Sequence, residues 1–284
     1  MIDPADGAVL EAVRGVSWPA RRVGIAGAAG VHRSRARGGT AEFAEYRAYR
    51  PGDDVRRIDW KLLARSDRAA IRLSADRTVL STLLLVDASA SMAHPRPSLE
   101  KWRYARGVTL ALAAMAAAAG DPVGVMVAAP TGVIRRPPRT RRGVTAEIAA
   151  LLHAVEPGGS PALAPVLATM RRARRIAIVS DCLGDADTML RVASIIAAAG
   201  GEVHAVHIVH IGEAQPDARD HRVIDPEDTG VVRTLTASSR QGYLDAFGAF
   251  QAAMAHRWRS AGASYTRVVT DEPVAHAARR IARC

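Results

Sequence analysis

The chain has 284 residues, 49% of them apolar and 4% aromatic, and carries 39 Lys and Arg against 28 Asp and Glu, a formal net charge of +11. That apolar share furnishes the core of one large domain, or of a domain with an extension, and no stretch approaches the roughly 20 apolar residues of a membrane span. The positive charge is arginine scattered along helical stretches, without a basic and aromatic cluster on which bases could stack, so nucleic-acid binding is not expected.

The start, "MIDPADGAVLEAV", is acidic and lacks the basic region of a signal peptide. Cys182 and Cys284 are far apart and match no metal-ligand spacing, which suits a reducing, cytoplasmic location. Residues 1–78 differ in character from the rest and are expected to form an N-terminal, β-rich extension. Within it, "GIAGAAG" (Gly24 to Gly30) has the wrong glycine spacing for a dinucleotide fingerprint and reads as a connector. "AIRLSA" (Ala70 to Ala75) alternates as a half-exposed strand does.

From Val79 the pattern becomes strands separated by helices. Val79 to Val86 is a continuous apolar strand, as in buried parallel sheets. Ser98 to Ala119 predicts a helix capped by Ser98 and stopped at Gly120. Val123 to Ala129 is a strand, turned by "PTG" into an antiparallel edge strand at "VIRR". Helices follow over Thr145 to Val155 and Pro161 to Ala173, then a strand over Arg175 to Asp181, a helix ending at Ala199 and a strand over Glu202 to Ile211. A loop-rich insertion near residues 213–237 predicts a small hairpin around "DPEDTG". A helix over Gly242 to Ala261, the strand "SYTRVVTD" and a helix over Pro273 to Ala282 complete the chain. Residues 79–284 are therefore expected to form a doubly wound, mostly parallel α/β sheet with helices on both faces.

In such sheets ligands bind beyond the carboxyl ends of the strands. Asp87 and Asp181 both stand there, each directly after an apolar run. Ser89 and Ser91 alternate in the loop after Asp87, and Ser160 lies in the glycine-rich "GGSPAL". Two carboxylates and three hydroxyls, with no His or Cys, form a hard-oxygen set suited to magnesium, manganese or calcium. A catalytic aspartate is the competing reading, as in a magnesium-dependent phosphohydrolase-like enzyme using the same crevice. Haloacid-dehalogenase-type phosphatases need a second aspartate two residues after the first, and Ser89 stands there.

"DASAS", Ser160 and the Asp181 of "IVSD" resemble the metal-ion-dependent adhesion site of von Willebrand factor type A domains, with serine at 160 where that family usually has threonine. The resemblance implies a metal that does no chemistry and coordinates a carboxylate of a partner protein. "EFAEYRAYRPGDDVRRIDWKLLAR" (Glu42 to Arg65) resembles the signature of the bacterial family called domain of unknown function 58 through Phe43, Arg47, Tyr49, Gly52, Asp53, Arg57, Ile58, Asp59, Trp60, Ala64 and Arg65. That resemblance implies a partner of the MoxR-type AAA+ ATPase class, or its client, in chaperone-like assembly or maturation of protein complexes. Its paired charges around a turn at Pro51-Gly52 predict an ion-pair network tying the segment to the large sheet, with Trp60 as apolar anchor, in preference to a docking surface. His204, His207 and His210 fall on a strand, where alternation sends His207 to the face opposite the other two. The combined expectation is a non-enzymatic, metal-dependent protein-interaction module without a membrane span.

Overall fold

The computed structural model describes residues 3–20, 43–51, 55, 58–74, 79–217, 221–224 and 230–284. "GIAGAAG", most of "PGDDVRR" and Asp225 to Thr229 of the hairpin tip lie outside them. The chain forms two units: Met1–Arg21 with Leu80–Cys284, and Arg22–Val79. The first helix, α1 (Pro4–Ala12), thus belongs with the large sheet rather than with the signature segment.

In the smaller unit, β1 (Phe43–Ala48) and β2 (Ala70–Ser74) pair antiparallel. Between them lies α2 (Trp60–Ser66), whose first turn is capped by Asp59; its carboxylate accepts from the N–H groups of Lys61 and Leu62 at 3.0 Å. Asp59 therefore serves the helix start. Trp60 opens this helix and is 61% exposed.

The larger unit holds β3 (Thr82–Asp87), α3 (Glu100–Ala118), β4 (Val123–Ala129), β5 (Gly132–Arg139), α4 (Val144–His153), α5 (Leu163–Thr169), β6 (Arg175–Ser180), α6 (Ala186–Ala198), β7 (Glu202–Val209), α7 (Ile211–Ala214), the hairpin β8 (His221–Ile224) and β9 (Val232–Leu235), α8 (Arg240–Ser260), β10 (Ser264–Val269) and α9 (Val274–Arg283). The six-stranded sheet runs β10-β7-β6-β3-β4-β5, parallel except for β5. This is the doubly wound α/β fold that the alternation of strands and helices predicts. Among the described residues no helix is long and apolar enough to cross a membrane.

Side chains alternate across the sheet, so each face has its own core. Leu84, Val86, Ala177 and Val179 face α3, α4 and α9, while Leu85, Ile176 and Ile178 face α5, α6 and α8. Alanine is used where helices approach closely. At Gly107 of α3 an added Cβ would come within 3.2 Å of Val274 of α9, so the absence of a side chain sets that contact. β5, with Pro137 and Pro138, is mostly exposed and stands at the sheet edge, where a missing N–H does least damage.

Helix starts differ most from expectation. Ser98 does not cap α3; its hydroxyl donates to the Pro95 carbonyl, and Leu99 precedes the helix at φ +54°. The strand and helix spacing is otherwise as expected, except that α5 is shorter at both ends than Pro161 to Ala173.

Opposite the strand-end crevice, Arg175 is fully buried at the start of β6. Its guanidinium donates to Asp121 at 3.1 Å, Glu202 at 3.1 Å and the Pro19 carbonyl at 2.9 Å, and stacks over the Trp18 ring at 4.6 Å. The other oxygen of Asp121 accepts from the Leu80 N–H at 2.9 Å. One guanidinium thereby joins the ends of four chain segments.

Candidate metal centre

The sequence direction of the sheet reverses between β3 and β6. β3 leads outward to β4 and β5, and the chain then returns to lay β6 on the other side of β3. Side-by-side strands that lead away in opposite directions leave a crevice at their carboxyl ends. Asp87 ends β3 and Asp181 follows β6, and both are buried, at 4% and 2% exposure.

The loops at this crevice are tied to one another. The Ala90 N–H donates to the Gly159 carbonyl and the Gly158 N–H to the Ala88 carbonyl, each at 2.8 Å, so the loop carrying Ser160 is fastened to the loop carrying Ser89 and Ser91. Asp87, Ser89, Ser160 and Asp181 line one cavity. The Ser89 and Ser91 hydroxyls are 2.9 Å apart and share a hydrogen bond. The five residues singled out from the sequence thus fall on loops around the same strand ends.

Asp87 accepts from the Ser89 N–H at 2.9 Å on one oxygen and from the Ser180 hydroxyl at 2.7 Å on the other. Burial, then the negative charge of Asp181, push its carboxyl up to about 6 despite these donors. Asp181 accepts from the Lys101 ammonium at 2.9 Å, and the same ammonium donates to Glu213 of α7 at 2.8 Å. Lys101 is fully buried. Burial disfavours its charge, but Asp181 and Glu213 outweigh that and hold its pKa above the ordinary lysine value. Glu213 also accepts from the His210 N–H at 2.8 Å, while the Nδ1 of His210 accepts from the Gly212 N–H, so α7 is fixed by a reciprocal cap.

Lys101 bonds Asp181 and Glu213 but not Asp87, so these three carboxylates and one ammonium leave two negative charges over, with Glu213 partly exposed to water. A divalent cation is the species that would balance them. Among the described residues no group of three or more His, Cys, Asp or Glu side chains is placed to hold a metal. A cation at this crevice would therefore rest on two carboxylates and hydroxyls, the donor set of a hard ion. The residues present fit such an ion.

Sequence reading missed Lys101, Glu213 and Ser180. Ser180 was in plain view in "IVSD", where register sets it beside Asp87. Lys101 had a signal too: it is one of only two lysines, with Lys61, among 39 basic residues. A compact ammonium fits between two carboxylates where a planar guanidinium fork would not.

Two of the three histidines lie on β7 and take opposite faces, as alternation requires, whereas His210 stands just beyond the strand and caps α7. His204 packs edge-on against Trp18 and bonds to Ser264, on one face. His207 meets Tyr265 and Phe250 on the other, where burial lowers its pKa to about 4.

Residues 45–253 match the family described as "Protein of unknown function DUF58". The chain belongs to the DUF58 family. Uncharacterized proteins of Mycobacterium tuberculosis (strain ATCC 25618 / H37Rv) and Mycobacterium bovis (strain ATCC BAA-935 / AF2122/97) are each 31% identical to this DUF58 chain over 242 residues, spanning 81% of it and 75% of the relative. Among solved structures, it is similar to an aerotolerance-related membrane protein from Bacteroides fragilis NCTC 9343 (17% identity, 72% of this chain and 97% of that one, TM-score 0.47). It is also similar to the SpRpn10 VWA domain (12% identity, 71% and 95%, TM-score 0.41).

Proposed function

We propose that this DUF58 protein is a non-enzymatic, metal-dependent protein-interaction module. Asp87, Ser89, Ser91, Ser160 and Asp181 would hold magnesium, manganese or calcium, directly or through water. Bound there, the ion would supply a Lewis-acidic position for a carboxylate of a partner protein. The partner class is a MoxR-type AAA+ ATPase or its client, met in the cytoplasm during assembly or maturation of protein complexes. The observation that carries this reading is the meeting of two buried carboxylates, Asp87 and Asp181, with the serine-bearing loops at the topological switch point. One feature speaks against hydrolysis: Ser89 stands where a second catalytic aspartate would be needed.

Magnesium titrated into the purified protein by calorimetry is expected to bind, and Asp87→Ala to abolish the heat while the circular dichroism of the fold is retained. Asp87 ends its strand, so its loss removes a donor without opening the apolar core. Undiminished affinity in Asp87→Ala would remove the metal assignment.

The partner contact is expected to depend on that metal. In a pull-down from the native host, chelation with EDTA should release an AAA+ ATPase or its client, and Asp181→Ala should mimic chelation. The basic balance of the chain favours encounter with an acidic surface, so salt should slow association more than it speeds dissociation. Recovery of the same partner equally well in EDTA would move the contact to the Glu42 to Arg65 segment.

A further inference from the structure

The cavity at Asp87 and Asp181 does not end at the carboxylates. It encloses about 350 Å³, and behind its polar mouth the wall turns apolar: Leu163 and Ala164 of α5, Ile178 of β6, Met189 of α6 and Trp258 of α8. Ile178, Met189 and Trp258 are 1%, 5% and 2% exposed, so this wall lies below the surface, out of reach of a flat protein face. The volume falls within the roughly 300–1,000 Å³ of small-molecule sites, which are mostly apolar with a few placed polar groups.

One polar group of the wall has no matching acceptor. Among the described residues, the buried indole N–H of Trp258 meets no oxygen or nitrogen. The polar atom beside it is the Cys182 thiol, itself part of the lining and a weak acceptor.

We propose that this chamber binds a small organic carboxylate, with the carboxylate at the polar mouth and an aliphatic or aromatic body against Leu163, Ile178, Met189 and Trp258. For the cation at the mouth, and for that alone, the inference rests on the function proposed above. Such an acid occupies the position a partner's carboxylate would take, so the two compete. Its selectivity comes from the chamber: short acids gain only the charge contact, longer ones also bury apolar surface.

The test uses the full chain with magnesium and a series of straight-chain carboxylates from acetate to decanoate, measured by calorimetry beside the matching alkanols. Affinity should rise about fourfold per methylene until the chamber is full, then level off. EDTA should reduce the carboxylates below the matching alkanols, because Asp87 and Asp181 then repel the anion. Ala164→Phe fills the chamber from α5 and should return octanoate to the affinity of acetate, with magnesium affinity unchanged. Gly184→Leu, at another lining position where an added Cβ meets no atom within 4 Å, should do the same and covers the case in which Ala164→Phe fails to fold. If magnesium binds and octanoate binds no more tightly than acetate, the chamber inference is overturned and the proposed function stands. If the direct titration shows no magnesium binding to the wild-type protein, both are overturned.

Discussion

Replacing Arg175 with methionine is expected to cost about 3–5 kcal/mol of folding stability. Against the roughly 5–15 kcal/mol that holds a typical domain together, this is about a fifth or more. The guanidinium is fully buried and bonded to Asp121, Glu202 and the Pro19 carbonyl. Its removal strands two carboxylates in an apolar setting, and that penalty outweighs any gain from a well-packed methionine. Burial already raises the Asp121 carboxyl above its ordinary value. A carboxyl raised in the folded state binds more protons folded than unfolded, so its contribution is fully present below about pH 4 and is lost as pH climbs through the folded value. The deficit of Arg175→Met should therefore be smallest in acid and largest at neutral pH. Adding Asp121→Asn and Glu202→Gln should recover most of the loss. Urea melts at several pH values decide it, and a pH-independent deficit below 1 kcal/mol would show that the buried cluster contributes little.

Lys101→Met is expected to destabilise the metal-free protein by about 3 kcal/mol and to make it more responsive to magnesium. The lower end of the range for a broken buried pair applies because the Glu213 side chain is 26% exposed and keeps some water. Without the ammonium, Asp181 has one competitor fewer for an incoming cation, and the site carries one more negative charge. A ligand that binds only the folded state stabilises it by about 2.7 kcal/mol at a hundredfold excess over Kd, and tighter binding increases that gain at a fixed concentration. The increase in Tm on adding magnesium should thus be larger in Lys101→Met than in the wild type. Equal increases in the two proteins would mean that Lys101 and the cation do not share Asp181.

These expectations depend unequally on what could be read from the sequence. Asp87 and Asp181 were legible because each interrupts an apolar run at the point where a buried strand must end, and strand alternation with helices put those ends on one side of the sheet. Ser160 was legible as a hydroxyl in a glycine-rich loop, but its nearness to Ser89 depends on the two backbone bonds between the loops, which no periodicity encodes. Lys101 was hidden because it stands in "LEKWRYARG", which reads as the charged opening turn of a helix. Its burial follows from α7, more than a hundred residues later, closing over it with Glu213. Arg175 was hidden for a related reason: one more arginine in an arginine-rich chain, its partners 54 residues before and 27 after it. The start of α3 was misread because Ser98 satisfies a local carbonyl rather than the helix, a choice made by the backbone of the preceding loop.

The Arg175–Asp121 pair has a further effect on the chain as a polymer. Its guanidinium holds the Pro19 carbonyl and its carboxylate holds the Leu80 N–H, so the two points between which Arg22–Val79 is strung are gripped by the two halves of a single contact. The segment between them is a tethered loop whose ends are brought together by the folding of the larger unit. The entropy of closing such a loop grows only with the logarithm of its length, about 0.6 kcal/mol for each doubling. The sheet is therefore nearly indifferent to the contour length strung between Pro19 and Leu80. Residues gained or lost within that stretch are therefore expected to leave the packing of the core unchanged.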